Sequence, residues 1–193
     1  MPSLRESLPR RTARLTLRAL SPDDAASVFA YRSLPSVAEF MTAMPGDLEA
    51  FRAGFAEFQE NNLAIELDGA VIGDAMVKRQ NAWSQAEVTE QAVGAQAELG
   101  WCLAPGNEGR GFATEVAEEL LSIAFEGLGV RRIEAGCFAE NAASRRVMEK
   151  VGLRLEGVFL KESLHRDGTW RDGASYALLA EEWFGRRGDT PAR

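Results

Sequence analysis

Between residues 97 and 126 the hydrophobic period of this chain switches from that of a strand to that of a helix. Ala97-Glu98-Leu99-Gly100-Trp101-Cys102-Leu103 alternates apolar and polar positions, and Pro105-Gly106-Asn107 ends the run. Ala113, Val116, Ala117, Leu120 and Ala124 then recur at helical spacing, with Glu115, Glu118, Glu119 and Ser122 mostly on the opposite side. A strand followed at once by an amphipathic helix buries its apolar side only if the helix lies on a sheet, so the fold class is α/β (α+β).

The rest of the chain repeats this grammar. Arg14 to Leu20 reads as a first strand. Ser21-Pro22-Asp23-Asp24 supplies an N-cap, a proline at the first helical position and an acid three residues after the cap, predicting a helix to about Arg32. Leu48, Phe51, Phe55 and Phe58 mark one face of a second helix starting near Asp47. Ala64–Leu67, the turn Asp68-Gly69 and Val71–Lys78 read as a hairpin. Residues 80–96 are polar and carry no clear period. Arg132–Phe138 reads as a strand, and Asn141–Val151 as a short helix closed by Gly152. Two final strands flank Arg166-Asp167-Gly168-Thr169. The order is β-α-α-β-β-β-α-β-α-β-β, a mixed sheet covered by helices. One domain is expected over 13–184, with tails at 1–12 and 185–193.

Composition narrows the partners. The chain has 193 residues, with 22 Lys+Arg against 29 Asp+Glu and a net charge of −7. Nucleic-acid binding needs a clustered cationic excess, so no nucleic-acid partner is expected. The densest apolar stretch, Leu120–Phe125, is far too short to span a bilayer, and no membrane association is expected. Cys102 and Cys137 lack disulfide-framework or metal-ligand spacing and read as reduced, buried thiols, consistent with a cytoplasmic protein without a bound metal. His165 is the single histidine, which leaves no partner for a multi-histidine metal site, and it reads as flanking a turn.

The chemistry is concentrated in Glu108-Gly109-Arg110-Gly111-Phe112-Ala113-Thr114. Glycines at a helix start let the backbone approach a ligand closely, and the first-turn N–H groups, at the positive end of the helix dipole, form an anion site. Arg110 adds a cation. The alternative is a plain glycine-rich turn into the helix. The stretch is not a dinucleotide fingerprint, which needs glycine at the place of Thr114, and not a P-loop, because the Lys-Ser/Thr pair is missing.

Two further segments join it. Asn141-x-x-Ser144 opens the later helix, and Glu149-Lys150-x-Gly152-Leu153 closes it. Together with Gly109-Arg110-Gly111-Phe112-Ala113 they resemble the GNAT superfamily of acyl-CoA N-acyltransferases. The ending Asp167-Gly168-x-Trp170-x-Asp172, then Tyr176-x-Leu178-Leu179 and Glu182-Trp183, resembles the RimJ/RimL-type branch. The resemblance spans about 13–184. It implies a mixed, mostly antiparallel sheet flanked by helices, acetyl-CoA as cosubstrate, and direct acetyl transfer to a primary amine. The acceptor is expected to be a protein N-terminus, or else a small cationic amine such as a polyamine or aminoglycoside. A homodimer is left open.

The resemblance also implies roles. Gly109, Arg110, Gly111, Phe112, Ala113 and Thr114 would hold the pyrophosphate. Trp101, Cys102 and Leu103 would pair with the pantetheine arm and aim a backbone N–H at the thioester carbonyl. Asn141 would contact the cofactor arm or a water beside it. Ser144 would stand near the sulfur as a proton donor, or else serve only the helix start. Arg146 or its neighbour Arg145 would meet the 3′-phosphate end. Glu98 would remove the proton from the incoming ammonium, or else sit as a solvated strand residue, with Glu66 and Glu134 as weaker candidates. Glu108 departs from the family's Gln or Arg, and Met148 replaces a tyrosine acid. Those departures sustain the alternative of a catalytically degenerate acyl-CoA-binding domain.

Overall fold

A computed structural model describes residues 3–188. Its centre is one eight-stranded sheet in the order β1-β2-β3-β4-β5-β6-β8-β7. The strands are β1 (Arg10–Arg11), β2 (Thr16–Ala19), β3 (Asn62–Leu67), β4 (Ala70–Gln80), β5 (Gln96–Leu103), β6 (Arg132–Phe138), β7 (Arg154–Leu164) and β8 (Trp170–Leu179). Neighbours run antiparallel except β5 and β6, which are parallel. The α-helices are α1 (Ala25–Arg32), α2 (Pro35–Ala38), α3 (Leu48–Asn61), α4 (Thr89–Ala92), α5 (Phe112–Ser122), α6 (Ala142–Lys150) and α7 (Ala180–Arg187), and α5 runs on into a π-helical turn, Ile123–Gly127.

Strand alternation divides the interior into two cores. Leu17, Leu63, Ile65, Leu99 and Ile133 face Phe112, Val116 and Leu120 of α5, Met148 of α6 and Trp183 of α7. The opposite face carries Ala64 and Cys102 against Val28 and Tyr31 of α1 and Phe55 of α3. Fully burying a side chain the size of Leu17 or Leu120 contributes about 1.5–3 kcal/mol. The sheet therefore separates an α5–α6 side from an α1–α3 side.

Local chemistry sets the boundaries. The Ser21 backbone N–H donates to Asp24 Oδ2 at 2.7 Å, completing a capping box, and the chain enters α1 through a 3-10 turn at Pro22–Asp24. Asp68 and Gly69 both have positive φ, +51° and +83°, as a two-residue hairpin turn requires. Asp47 Oδ1 caps α3 by accepting from the Ala50 N–H at 2.8 Å.

The chain is structured on both sides of 13–184 where it is described. Within 3–12, β1 pairs with β2, Leu4 and Leu8 pack on the core, and the Arg10 guanidinium donates to Glu119 and Ser122. A two-residue strand has no period to read, and its anchors lie more than a hundred positions away in sequence. At the other end α7 continues to Arg187, and 189–193 fall outside the described residues. Residues 80–96 resolve into the end of β4, a 3-10 turn at Ala86–Val88 and α4. No helix among the described residues is long and apolar enough to cross a membrane.

Candidate active site

Among the described residues the β5–β6 pair is the one parallel junction in this sheet, and it is incomplete. β5 pairs with β4 along its whole length, but with β6 only at Gln96↔Arg132, Ala97↔Ile133 and Glu98↔Glu134. Beyond Glu98 the strands part. Leu99–Leu103 therefore have ladder partners on the β4 side alone, and Trp101, Cys102 and Leu103 lie along the free edge. A free strand edge of this kind can take up an extended, amide-bearing ligand.

The glycine-rich loop closes the wide end of this split. Gly109 and Gly111 have φ of +73° and +82°, a region that favours glycine. Gly111 is the N-cap residue of α5, and no side chain caps that helix. The N–H groups of Phe112, Ala113 and Thr114 are thus left to a ligand or solvent at the positive end of the dipole. A Cβ on Gly109 would meet open space, and one on Gly111 would lie 3.5 Å from Arg14 Nη2. The loop leaves room where an anion would lie.

Its surroundings brace it. Arg14 Nη1 donates to the Arg110 carbonyl at 2.9 Å, and Arg14 Nε donates to Glu115 Oε2 at 2.8 Å. Burial opposes the Glu115 charge, yet hydrogen bonds from Thr12 and Arg14 hold its carboxyl below the usual range. The Arg110 guanidinium stacks 4.5 Å from the Phe112 ring centroid. Glu108 Oε2 accepts from the Gly106 N–H at 2.7 Å, so its carboxylate is spent on the turn.

α6 borders the split from the β6 side. Asn141 Oδ1 accepts from the Ser144 N–H at 3.0 Å and so acts as the helix cap. Ser144 neighbours Cys137, which lies on the part of β6 that pairs with β8 but not with β5. Burial pushes that thiol above its ordinary value, with Arg145 and Ser144 pulling it back. Arg145 is committed elsewhere, donating to the Tyr176 hydroxyl at 2.9 Å and the Ala139 carbonyl at 3.1 Å. Arg146 is exposed. Met148 is fully buried in the α5–α6 core.

Glu98 lies on the other face, at the apex of the split. It is half-buried and accepts from Gln80 Nε2 at 2.8 Å. Glu134 stands opposite it on β6. Glu66 is two strands from β5 and bound to Arg18 Nε at 2.7 Å, which removes it from the split. His165 flanks its turn as expected but is buried, with Nε2 3.0 Å from the Glu39 carbonyl and Nδ1 3.0 Å from Asp167 Oδ1. Hydrogen bonds from Thr169, His165 and Arg171 hold the Asp167 carboxyl far below the carboxylate range. Among the described residues no group of three or more His, Cys, Asp or Glu is arranged to hold a metal.

Sequence reading missed one cluster beside Cys102. Asp74 of β4 is 1% exposed and lies opposite Cys102 in the ladder. It accepts from the Tyr31 hydroxyl at 2.6 Å, from Arg32 Nε at 2.8 Å and from Arg32 Nη2 at 2.6 Å. Burial, reinforced by Asp74, pushes the Cys102 thiol up to about 12. The available signal was an acid inside the apolar run Val71–Val77.

Comparison with known proteins agrees with this arrangement. The acetyltransferase (GNAT) domain family matches residues 14–154. The uncharacterized N-acetyltransferase YnaD of Bacillus subtilis is 41% identical over 86 residues, which is 45% of this chain and half the length of YnaD. The crystal structure of a GNAT-family acetyltransferase from Bacillus anthracis superposes with a TM-score of 0.77 at 28% identity, over 91% of this chain and 100% of that one. Mycobacterium smegmatis RimJ, solved in complex with CoA-disulfide, shares the fold with a TM-score of 0.69 at 22% identity, over 94% of this chain and 96% of that one. With an open α5 N-terminus beside a split parallel pair, and with the family match spanning both, this chain belongs to the GNAT acetyltransferase family.

Proposed function

We infer that the protein transfers an acetyl group from acetyl-CoA to a primary amine, with a protein N-terminus as the first acceptor and a polyamine or aminoglycoside as the second. The observation that carries this reading is the parting of β5 from β6 beside the uncapped N-terminus of α5. Backbone N–H groups of Gly109 to Thr114, with Arg110, would hold the pyrophosphate, and Arg146 would lie toward the 3′-phosphate end. The free edge Trp101–Leu103 would bind the pantetheine amides and present an N–H to the thioester oxygen.

The acceptor approaches on the face of the sheet that carries Glu98, the α1–α3 side. Glu98 takes one proton from the ammonium, leaving a neutral nitrogen whose lone pair attacks the thioester carbon. The C–N bond forms, the nitrogen sheds its second proton to solvent, the C–S bond breaks, and the sulfur leaves as thiolate. Ser144, at the start of α6, would protonate it. Asn141 holds the backbone N–H of Ser144 and fixes that helix start.

Full burial of Met148 favours a second reading, an acyl-CoA-binding domain without turnover, because no tyrosine hydroxyl is available at that position. An acetyl-transfer screen over free N-terminal peptides, polyamines and aminoglycosides separates the two. Transfer to any amine supports the enzyme. Tight acetyl-CoA binding without transfer to any of them supports the binding domain.

A further inference from the structure

Arg32 ends α1 with its guanidinium beside Cys102, on the face from which the acceptor approaches. Its side chain is only 11% exposed. Asp74 takes Nε and Nη2 in a fork, and the Phe58 ring lies 4.8 Å from the guanidinium carbon. Among the described residues Nη1 has no hydrogen-bond partner, and it is not sealed off, because no buried side-chain nitrogen or oxygen is left unsatisfied. The Nε–Nη2 edge of the guanidinium is thus fixed by Asp74, while Nη1 keeps two N–H donors without a partner among the described residues.

The spacing along β5 gives these donors a substrate. Glu98 and Cys102 lie four residues apart on one strand, about 13 Å at the rise of a β-strand. An extended peptide with its terminal amine at Glu98 carries backbone carbonyls at intervals of about 3.3 Å, and one of the first few falls at Arg32. A polyamine lying along the same line offers no acceptor atom there and brings a second ammonium toward a guanidinium edge. We propose that Arg32, held by Asp74, selects acceptors that carry carbonyl oxygens behind the reacting amine, peptide N-termini above polyamines. Asp74 and Tyr31 are positioning residues that keep the fork turned outward. This inference rests on the acetyl-transfer reading of the same cleft.

The test compares two acceptors, a free N-terminal tetrapeptide and spermidine, each with acetyl-CoA, in the wild type and in Arg32→Gln. The wild type should favour the peptide in kcat/KM. Arg32→Gln should lower the peptide value at least tenfold, through KM, and leave the spermidine value unchanged or raised. Arg32→Lys, which keeps the charge and loses the fork, should fall between. A purely structural role for Arg32 would reduce both acceptors alike, and an unchanged ratio overturns the proposal. Should Arg32→Gln fold poorly, Tyr31→Phe, which releases one of the three bonds on Asp74, should still narrow the peptide preference, and an unchanged preference counts against it. If the wild type acetylates neither acceptor, both this inference and the reading beneath it fall; wild-type activity with an unmoved ratio removes this one alone.

Discussion

Glu98 and Glu134 face each other on the last rung that joins β5 to β6. Like charges directly opposite on a sheet are unfavourable by about 0.2–1 kcal/mol. Relief is partial: Glu98 receives a neutral donor, Gln80 Nε2, and Glu134 lies 4.0 Å from an Arg132 guanidinium that also binds Glu156 at 2.5 Å. The apex of the split is therefore electronegative, which suits an arriving ammonium. Glu98→Gln should lower kcat by roughly 10²-fold if Glu98 removes the proton. It should leave stability unchanged or raise it by up to about 1 kcal/mol. Wild-type kcat in this variant, measured at saturating acetyl-CoA, would move the base to Glu134 or to a water chain.

Gly111 tests the loop. At φ +82° a β-branched residue is strained, and its Cβ would lie 3.5 Å from Arg14 Nη2, the residue that braces the loop. Gly111→Val should weaken acetyl-CoA binding at least tenfold, about 1.4 kcal/mol. Arg110→Ala should give a smaller loss that shrinks as salt rises, since that side chain is exposed. Calorimetric dissociation constants, with melting curves alongside, distinguish a damaged site from a damaged scaffold.

Asp24 links stability to pH. Hydrogen bonds from Arg18, followed by the Ser21 N–H, hold its carboxyl below the ordinary value despite burial. A depressed folded-state value contributes stability that is present above the unfolded value, near 3.9, and is lost as pH falls below it. Asp24→Asn should cost about 1–2 kcal/mol at pH 7, from the weakened cap and the lost ion pair. The gap between the two proteins in urea melts should close progressively as pH falls below about 4. A gap that stays constant as the pH is lowered contradicts the assignment.

Legibility followed the physics. The capping box at Ser21, the Asp68-Gly69 turn, strand β6 and the Asn141–Gly152 helix were readable because each is a local signal, carried by residues within one turn or one strand. The loop Gly109–Thr114 was readable for the same reason. The split was not, because the sequence of β5 does not show which neighbour it leaves at Leu99. Arg14 bracing Arg110, and Arg32 reaching Asp74 across 42 positions, are contacts that only the fold creates. Arg145 and Arg146 are adjacent and alike in sequence, yet Tyr176 engages one and solvent the other. Residues 80–96 resisted reading because most are exposed, so no burial period marks their turns.

The most direct test of the central claim, an acyl-CoA site at the β5–β6 split, is the melting temperature of the folded protein with and without acetyl-CoA. A ligand bound only by the native state stabilises it by about 2.7 kcal/mol at a hundredfold excess over Kd. For a chain of this size that raises Tm by roughly 5–10 °C. A rise of that order in the wild type, much reduced in Gly111→Val, is the expected result. An unchanged Tm in millimolar acetyl-CoA would contradict the account.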